Sequence, residues 1–296
     1  LKLIQVIYMK IYKCALCGAT NLKLARRGDL TTGITSENFS VTDCNYGKTA
    51  DIFKCLECGF MQCCIEFDPL LFYEELEDKS YETGRNERAL QMRNILRLIR
   101  KYRPHGRLLD IGAASGILVE EALMLGYEAE GIEPSRAFWE TARKQNLPVH
   151  LGAFPHPDAD RHYDVVTLID ILEHVPEPVK MLKDVSGLIG RNGIGVVVTP
   201  DVESFAARIM GFKWWHFRVA HINYFSRKTL LAALDEAGLR HLIVSRPGWV
   251  FSMDYLYTRL MRYFPQILRT RSPGFFKHII VPLNLLDSML VIFENR

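Results

Sequence analysis

Two Cys-x-x-Cys-Gly units, Cys14-Ala-Leu-Cys17-Gly18 and Cys55-Leu-Glu-Cys58-Gly59, carry one chemistry that this sequence can do. Glycine after the second cysteine allows the tight turn that aims thiolates at one ion. Four thiolates at tetrahedral positions suit Zn²⁺, and a closed site of this kind leaves no open position for catalysis. The expected role is therefore structural, zinc holding a segment too poor in apolar residues to fold alone. The gap of about 37 residues between the pairs exceeds that of compact fingers. An iron–sulfur cluster uses the same ligands and stays open as an alternative. Cys44, Cys63 and Cys64 fall outside the pattern: Cys63 and Cys64 are expected to pack or stay free, with Cys44 a spare ligand. All seven cysteines lie in the first 64 of 296 residues. That distribution and the odd count argue against a disulfide framework and for a reducing, cytoplasmic compartment.

The second chemistry lies in Leu108-Leu-Asp110-Ile-Gly112-Ala-Ala114-Ser-Gly116. A strand ends, small residues follow and a helix begins, so backbone N–H groups are free to meet a ligand. The dinucleotide fingerprint needs glycine at relative positions one, three and six. Gly112, Ala114 and Ile117 stand there, so two of three fail. Asp110 beside the turn would repel a pyrophosphate but attract the ammonium and sulfonium of S-adenosylmethionine. Glu133, in Gly131-Ile-Glu-Pro134, is an acid at the end of the next strand, where a carboxylate can accept both hydroxyls of an adenosine ribose.

These residues need a frame. Strands are expected at 107–111, 127–132, 149–151, 165–169, 195–199 and 241–244, with helices at 117–125, 136–145, 178–187, 203–210 and 227–236. Short apolar strands alternating with amphipathic helices predict an α/β doubly wound, Rossmann-like parallel sheet. Ser135 and Ser226 stand where N-caps belong, and Gly126 and Gly238 where helices end. Helices are also expected at 69–78 and 85–102. Five segments follow: a zinc-ribbon-like module (1–67), a helical linker and N-terminal helix (68–105), the core (106–251), an insertion (252–287) and a last core strand (288–296). Met9 is read as the natural start, with residues 1–8 upstream of it.

Composition narrows the partners. Apolar residues make up 48% and charged residues 24%, with 37 basic and 34 acidic side chains and a net charge of +3. That excess is too small to argue for nucleic acid. No run reaches the roughly 18 uninterrupted apolar residues that a membrane helix needs.

With Asp110, Gly112, Ala114, Gly116 and Glu133 in this order, the sequence resembles the class I S-adenosylmethionine-dependent methyltransferases. Asp170-Ile-Leu-Glu-His-Val-Pro-Glu-Pro178 and His221-Ile-Asn-Tyr-Phe-Ser226 are similar to elements of the ubiquinone-biosynthesis-like O-methyltransferases. Ala114 departs from the family's middle glycine. The resemblance covers roughly residues 80–250 plus the final strand, and it implies a seven-stranded sheet with the last strand antiparallel. It implies a cofactor site of Asp110, Gly112, Ala114, Gly116, Glu133, Pro134 and Asp170, with Ala153 and Phe154 flanking the adenine. It also puts His174 and His221 beside the substrate. His174 is the expected base, and His221 or Tyr224 the expected substrate contact.

Cys55 to Gln62, with Asp68-Pro-Leu-Leu-Phe-Tyr73, resembles the N-terminal zinc module of sugar C-methyltransferases, which implies a module that helps shape the acceptor pocket. Trp214-Trp-His-Phe-Arg218 is either a ring-stacking and anion-holding cluster or plain core. The insertion, with Arg259, Arg262, Arg269, Arg271 and Lys277, is a lid, an interface or a membrane-surface contact. The acceptor is thus a small molecule, a sugar or glycan precursor, or a lipid-linked compound. Two alternatives stand beside it: an RNA methyltransferase gripping nucleic acid through the module, and a non-catalytic binding protein on the same fold. Oligomeric state is not assigned.

Overall fold

The apolar runs between residues 107 and 245 form strands, and the amphipathic segments between them cover both faces of the sheet. The computed structural model describes residues 13–30, 33–42, 46–65, 67–78, 80–159 and 162–296. Met9, the residues before it and Cys44 lie outside these. In chain order come β1 (Leu22–Arg26), β2 (Ile52–Cys55), β3 (Met61–Cys63), α1 (Pro69–Glu74), α2 (Arg85–Ile99), β4 (Arg107–Ile111), α3 (Ile117–Met124) and β5 (Glu128–Glu133). Then follow α4 (Arg136–Lys144), β6 (Val149–Leu151), β7 (Tyr163–Ile169), α5 (Pro178–Leu188), β8 (Ile189–Pro200), α6 (Phe205–Met210), β9 (Asn223–Tyr224), α7 (Arg227–Glu236) and β10 (Leu239–Ser245). The chain closes with β11 (Trp249–Ser252), α8 (Met253–Met261), β12 (Ile280–Leu283) and β13 (Ser288–Asn295).

Seven strands form the main sheet in the order β10-β13-β8-β7-β4-β5-β6. Neighbours from β8 to β6 pair in parallel, whereas β13 runs antiparallel to both β8 and β10. This is the expected Rossmann-like α/β sheet with its antiparallel last strand. Alternation along each strand sends Leu108, Val165, Val196 and Ile292 to the face covered by α2 and α3, and Leu109, Val166, Val197 and Val291 to the face covered by α5 and α7. The serine caps form: Ser135 Oγ accepts from Phe138 N at 3.2 Å and Ser226 Oγ from Thr229 N at 3.3 Å. Strand order reverses between β4 and β7, where open α/β sheets bind ligands outside the carboxyl ends.

Three boundaries differ from expectation by more than two residues. Helix α1 stops at Glu74, four residues short. Helix α2 ends at Ile99. Strand β8 starts at Ile189 rather than 195. Around the insertion β11 and β12 form an antiparallel ribbon, Trp249 opposite Leu283, with α8 between them. The cysteine segment also joins the core. Its strands make a second sheet, β1-β2-β3-β9, whose last strand comes from the core through Met61–Tyr224 and Gln62–Asn223 pairs. Cys14, Leu16, Cys55 and Phe60 pack in the same cluster as Leu109 and Phe225. Among the described residues no helix is long and apolar enough to cross a membrane.

Candidate active site and metal centre

At the switch point β4 ends in Asp110, and the turn that follows is held by β5. Gly112 N and Ala113 N donate to Ile132 O at 2.8 and 3.0 Å. Gly112 has φ +76°, a left-handed conformation that favours glycine, and a Cβ there would push against the Ile171 Cδ1 tip. Ala114 also has positive φ, 47°, which is costly for a residue with a Cβ. The Glu133 carboxylate offsets that cost: Oε2 accepts from Ala114 N and Oε1 from Ser135 N, both at 2.7 Å. Asp110 Oδ1 accepts from Thr167 Oγ1 at 2.5 Å.

Asp110, Gly112, Ala114, Glu133, Pro134, Ala153, Phe154, Asp170, His174 and His221 all line one cleft of about 1300 Å³. That exceeds the usual 300–1,000 Å³ of a single-ligand pocket and has room for two ligands side by side. Two expected residues are not part of its wall. Gly116 starts α3 and faces Leu147. Tyr224 is a correction: it is buried behind the cleft, its hydroxyl 3.8 Å from Cys63 Sγ and its ring on Phe217, so it cannot touch a substrate.

Burial without a cation sets the electrostatics of the floor. It pushes Asp110 up to about 7, and Glu133 likewise despite its two backbone donors. Asp170 also lines the cleft but is exposed, with the charge of Asp287 nearby. Two buried acids and a third at the surface favour a cationic ligand. Here S-adenosylmethionine fits the residues present: an ammonium and a sulfonium for the acids, and a ribose for Glu133.

The acceptor half of the cleft holds Tyr73, Glu173, His174, Trp215, His216, Arg218, His221 and Asp287. His174 Nδ1 lies 2.7 Å from Ala220 O and 2.6 Å from Tyr73 Oη. A proton on Nδ1 satisfies the carbonyl and leaves Nε2 as the acceptor. Burial lowers His174 to about 4, so it is neutral at physiological pH. Burial, then the neighbouring His174 and His216, lowers His221 well below its ordinary value. Glu173 Oε2 accepts from Thr199 Oγ1 at 2.8 Å, and burial, then Asp170, raises its carboxyl. Donor atoms of Glu173, His174 and His221 lie within 4.8 Å of one another, a grouping that can hold a polar ligand atom or a cation. Among the described residues, buried Glu173 Oε1 and Arg218 Nε have no hydrogen-bond partner. Sequence reasoning assigned no role to Tyr73, quoted only within the 68–73 motif, and missed Asp287, which no local motif marks. Of the tryptophan cluster, Trp214 is core, while Trp215, His216 and Arg218 reach the cleft.

The cysteine pairs converge. Cys14 Sγ and Cys58 Sγ are 3.6 Å apart, and Cys17 Sγ and Cys55 Sγ 3.7 Å. Four sulfurs about 2.3 Å from a tetrahedral zinc would be about 3.8 Å from each other. A disulfide would need about 2.05 Å. Each knuckle closes through its glycine, Gly18 N donating to Cys14 O at 2.9 Å and Gly59 N to Cys55 O at 3.0 Å. The set therefore fits zinc. Cys63 is buried elsewhere, with Sγ 3.8 Å from His221 O.

A switch-point cleft with a small-residue turn, an acid on β4 and an acid on β5 defines a class I S-adenosylmethionine-dependent methyltransferase domain. The chain belongs to the methyltransferase-domain family, whose model matches residues 82–243. It is 29% identical over 160 residues to a ubiquinone biosynthesis O-methyltransferase of Ruegeria, covering 49% of this chain and 64% of that one. A ubiquinone biosynthesis O-methyltransferase of Rhodopseudomonas palustris is 32% identical over 159 residues, covering 49% and 62%. The chain thus spans less than two thirds of the length of these relatives. A solved protein of Pyrococcus horikoshii shares the fold, with a TM-score of 0.51, 15% identity, and coverage of 74% of this chain and 96% of that one.

Proposed function

We propose that this protein transfers the methyl group of S-adenosylmethionine to a small acceptor bound beside Glu173, His174, His221 and Arg218. The observation that carries the reading is Glu133: buried, tied to Ala114 N and Ser135 N, and still lining the cleft beside Asp110. S-adenosylmethionine supplies an electrophilic methyl group, so the chain has to bind, align, exclude water and take a proton. Glu133 would hold the ribose, Asp110 and Asp170 the cationic end, and Ala153 and Phe154 the adenine. His174 Nε2 would accept the acceptor's proton, while Ala220 O orients the ring. The unpaired Glu173 Oε1 and Arg218 Nε would fix the acceptor's polar groups.

Apolar and aromatic side chains, Trp215, Phe251, Tyr255, Leu256 and Leu283, line much of the rest of the acceptor chamber, with Arg259 and Arg262 among them. That favours an acceptor with a hydroxyl-bearing head and an apolar body, such as a lipid-linked compound, over a free sugar. The names of the quinone-pathway relatives agree with a hydroxyl acceptor. The cysteine set would hold structural zinc, its module bracing the acceptor side as the likeness to sugar C-methyltransferases suggests. Nothing in the cleft favours RNA. Calorimetric titration with S-adenosylhomocysteine, NAD and zinc-loaded protein tests the reading. Micromolar binding of the first and none of NAD supports it; no binding by folded protein sinks it.

A further inference from the structure

The segment that walls the acceptor chamber continues outward as a surface with an unusual make-up. From Tyr255 to Leu286 there is no acidic residue, and five cations stand there: Arg259, Arg262, Arg269, Arg271 and Lys277. Large apolar side chains among them are exposed, including Leu260, Phe264, Leu268, Phe275 and Ile280, with Ile267 92% exposed. Among the described residues Arg262, Arg269, Arg271 and Lys277 form no salt bridge. Arg269 donates to the Phe264 and Arg262 carbonyls, which holds the guanidinium beside the apolar tip.

A second segment carries the same chemistry. Phe205, 75% exposed, and Ile209 stand one turn apart on α6, followed by exposed Phe212, with Arg208 before Ile209 and Lys213 after Phe212. The two segments meet. Phe212 O lies 3.1 Å from where a Cβ of Gly47 would be, and the next ring, Tyr46, stacks on Tyr263 with centroids 6.4 Å apart. Tyr46, Arg259 and Tyr263 are also cleft-lining residues, so this surface lies at the edge of the acceptor chamber.

We propose that these segments dock the protein on an anionic lipid bilayer, so that an acceptor carried in the membrane enters the cleft without crossing water. This deepens the acceptor reading above and rests on it only for the identity of the cargo. The chemistry selects lipid over other occupants. Exposed aliphatic tips gain nothing on a phosphate backbone, whereas interfacial segments combine buried apolar side chains with cations at headgroup level. A run of Arg and Lys without acids is complementary to an anionic leaflet, at about fivefold in partitioning per cation near the surface.

Sedimentation with sucrose-loaded vesicles tests this, using phosphatidylcholine alone and phosphatidylcholine with phosphatidylglycerol. The expected result is retention by the anionic vesicles only, weakened by salt. Arg269→Gln with Lys277→Gln should reduce partitioning about 25-fold at about fivefold per cation. Ile267→Ser with Leu268→Ser and Phe275→Ser should abolish it, and titration with S-adenosylhomocysteine should be unchanged in both variants. None of these five residues lines the cleft. Absence of retention in wild type that binds S-adenosylhomocysteine normally overturns the proposal, as does equal retention of the variants. A wild-type dimer that the serine variant converts to monomer would also overturn it, assigning the surface to a second copy. If vesicles retain the protein and S-adenosylhomocysteine does not bind, the methyltransferase reading fails alone.

Discussion

Glu133→Gln is the substitution whose outcome follows most directly from the geometry. Each carboxylate oxygen accepts one backbone N–H at 2.7 Å, from Ala114 and Ser135. Glutamine keeps the shape but turns an NH₂ group toward one of those donors, orphaning a buried N–H at a cost of about 1–3 kcal/mol in stability. It also removes the charge that would accept the ribose hydroxyls. A hydrogen bond to a charged group contributes about 1.5–3 kcal/mol, so affinity for S-adenosylhomocysteine should fall roughly 10- to 150-fold. The pH dependence separates charge from shape. In the free protein Asp110 and Glu133 sit at about 7, and each would have to ionise to hold a cationic or hydroxylic ligand. Affinity therefore rises with pH up to about 7 and is flat above. Removing one titrating group should lower the slope of log affinity against pH by about one unit below that point. Calorimetry at several pH values reads both effects. An affinity within threefold of wild type with an unchanged slope would refute the assignment of Glu133 to the ribose.

Gly112→Ala should cost about 1–2 kcal/mol and weaken cofactor binding, because its φ is left-handed and its Cβ displaces the Ile171 Cδ1 tip; a normal melt would show that the turn is not built as described. Metal analysis should find one zinc per chain, lost in Cys55→Ser and kept in Cys63→Ser, since Cys63 Sγ lies by His221 O and not among the four thiols.

What was legible in the sequence was local. The turn and its acids are contiguous or end adjacent strands, so spacing finds them, and the paired knuckles announce themselves. The helix caps at Ser135 and Ser226 are one-residue signals with one physical meaning. What was not legible was assembled by tertiary contact. Tyr73 and Asp287 come from segments far apart, and only the folded chain puts Tyr73 on His174 and Asp287 on His216. Strand β9 is two residues long, too short to show any period. Tyr224 shows the opposite failure, a residue chosen by proximity in sequence. Where the chain is extended, positions three apart point to opposite faces. His221 faces the cleft, and Tyr224 faces the cysteine module, where burial, then Cys63, raises its hydroxyl well above its ordinary value.

That same alternation gives the module a physical link to the site. Cys63 N donates to Ile222 O at 2.7 Å, and Ile222 N and Asn223 N donate to Glu173 O at 2.8 and 3.0 Å. Asn223 Nδ2 then donates to Leu172 O at 3.1 Å and to Val175 O at 2.7 Å. The loop that carries Glu173 and His174 is thus laced to β9, and β9 is the outer strand of the module's sheet. On this geometry zinc would act on the acceptor residues at one remove, by fixing the knuckles on which β2 and β3 depend. Loss of the metal should then weaken acceptor binding before cofactor binding, because Asp110, Gly112 and Glu133 are anchored on β4 and β5. An apo-metal protein whose S-adenosylhomocysteine affinity falls as far as its KM for acceptor rises would contradict that order.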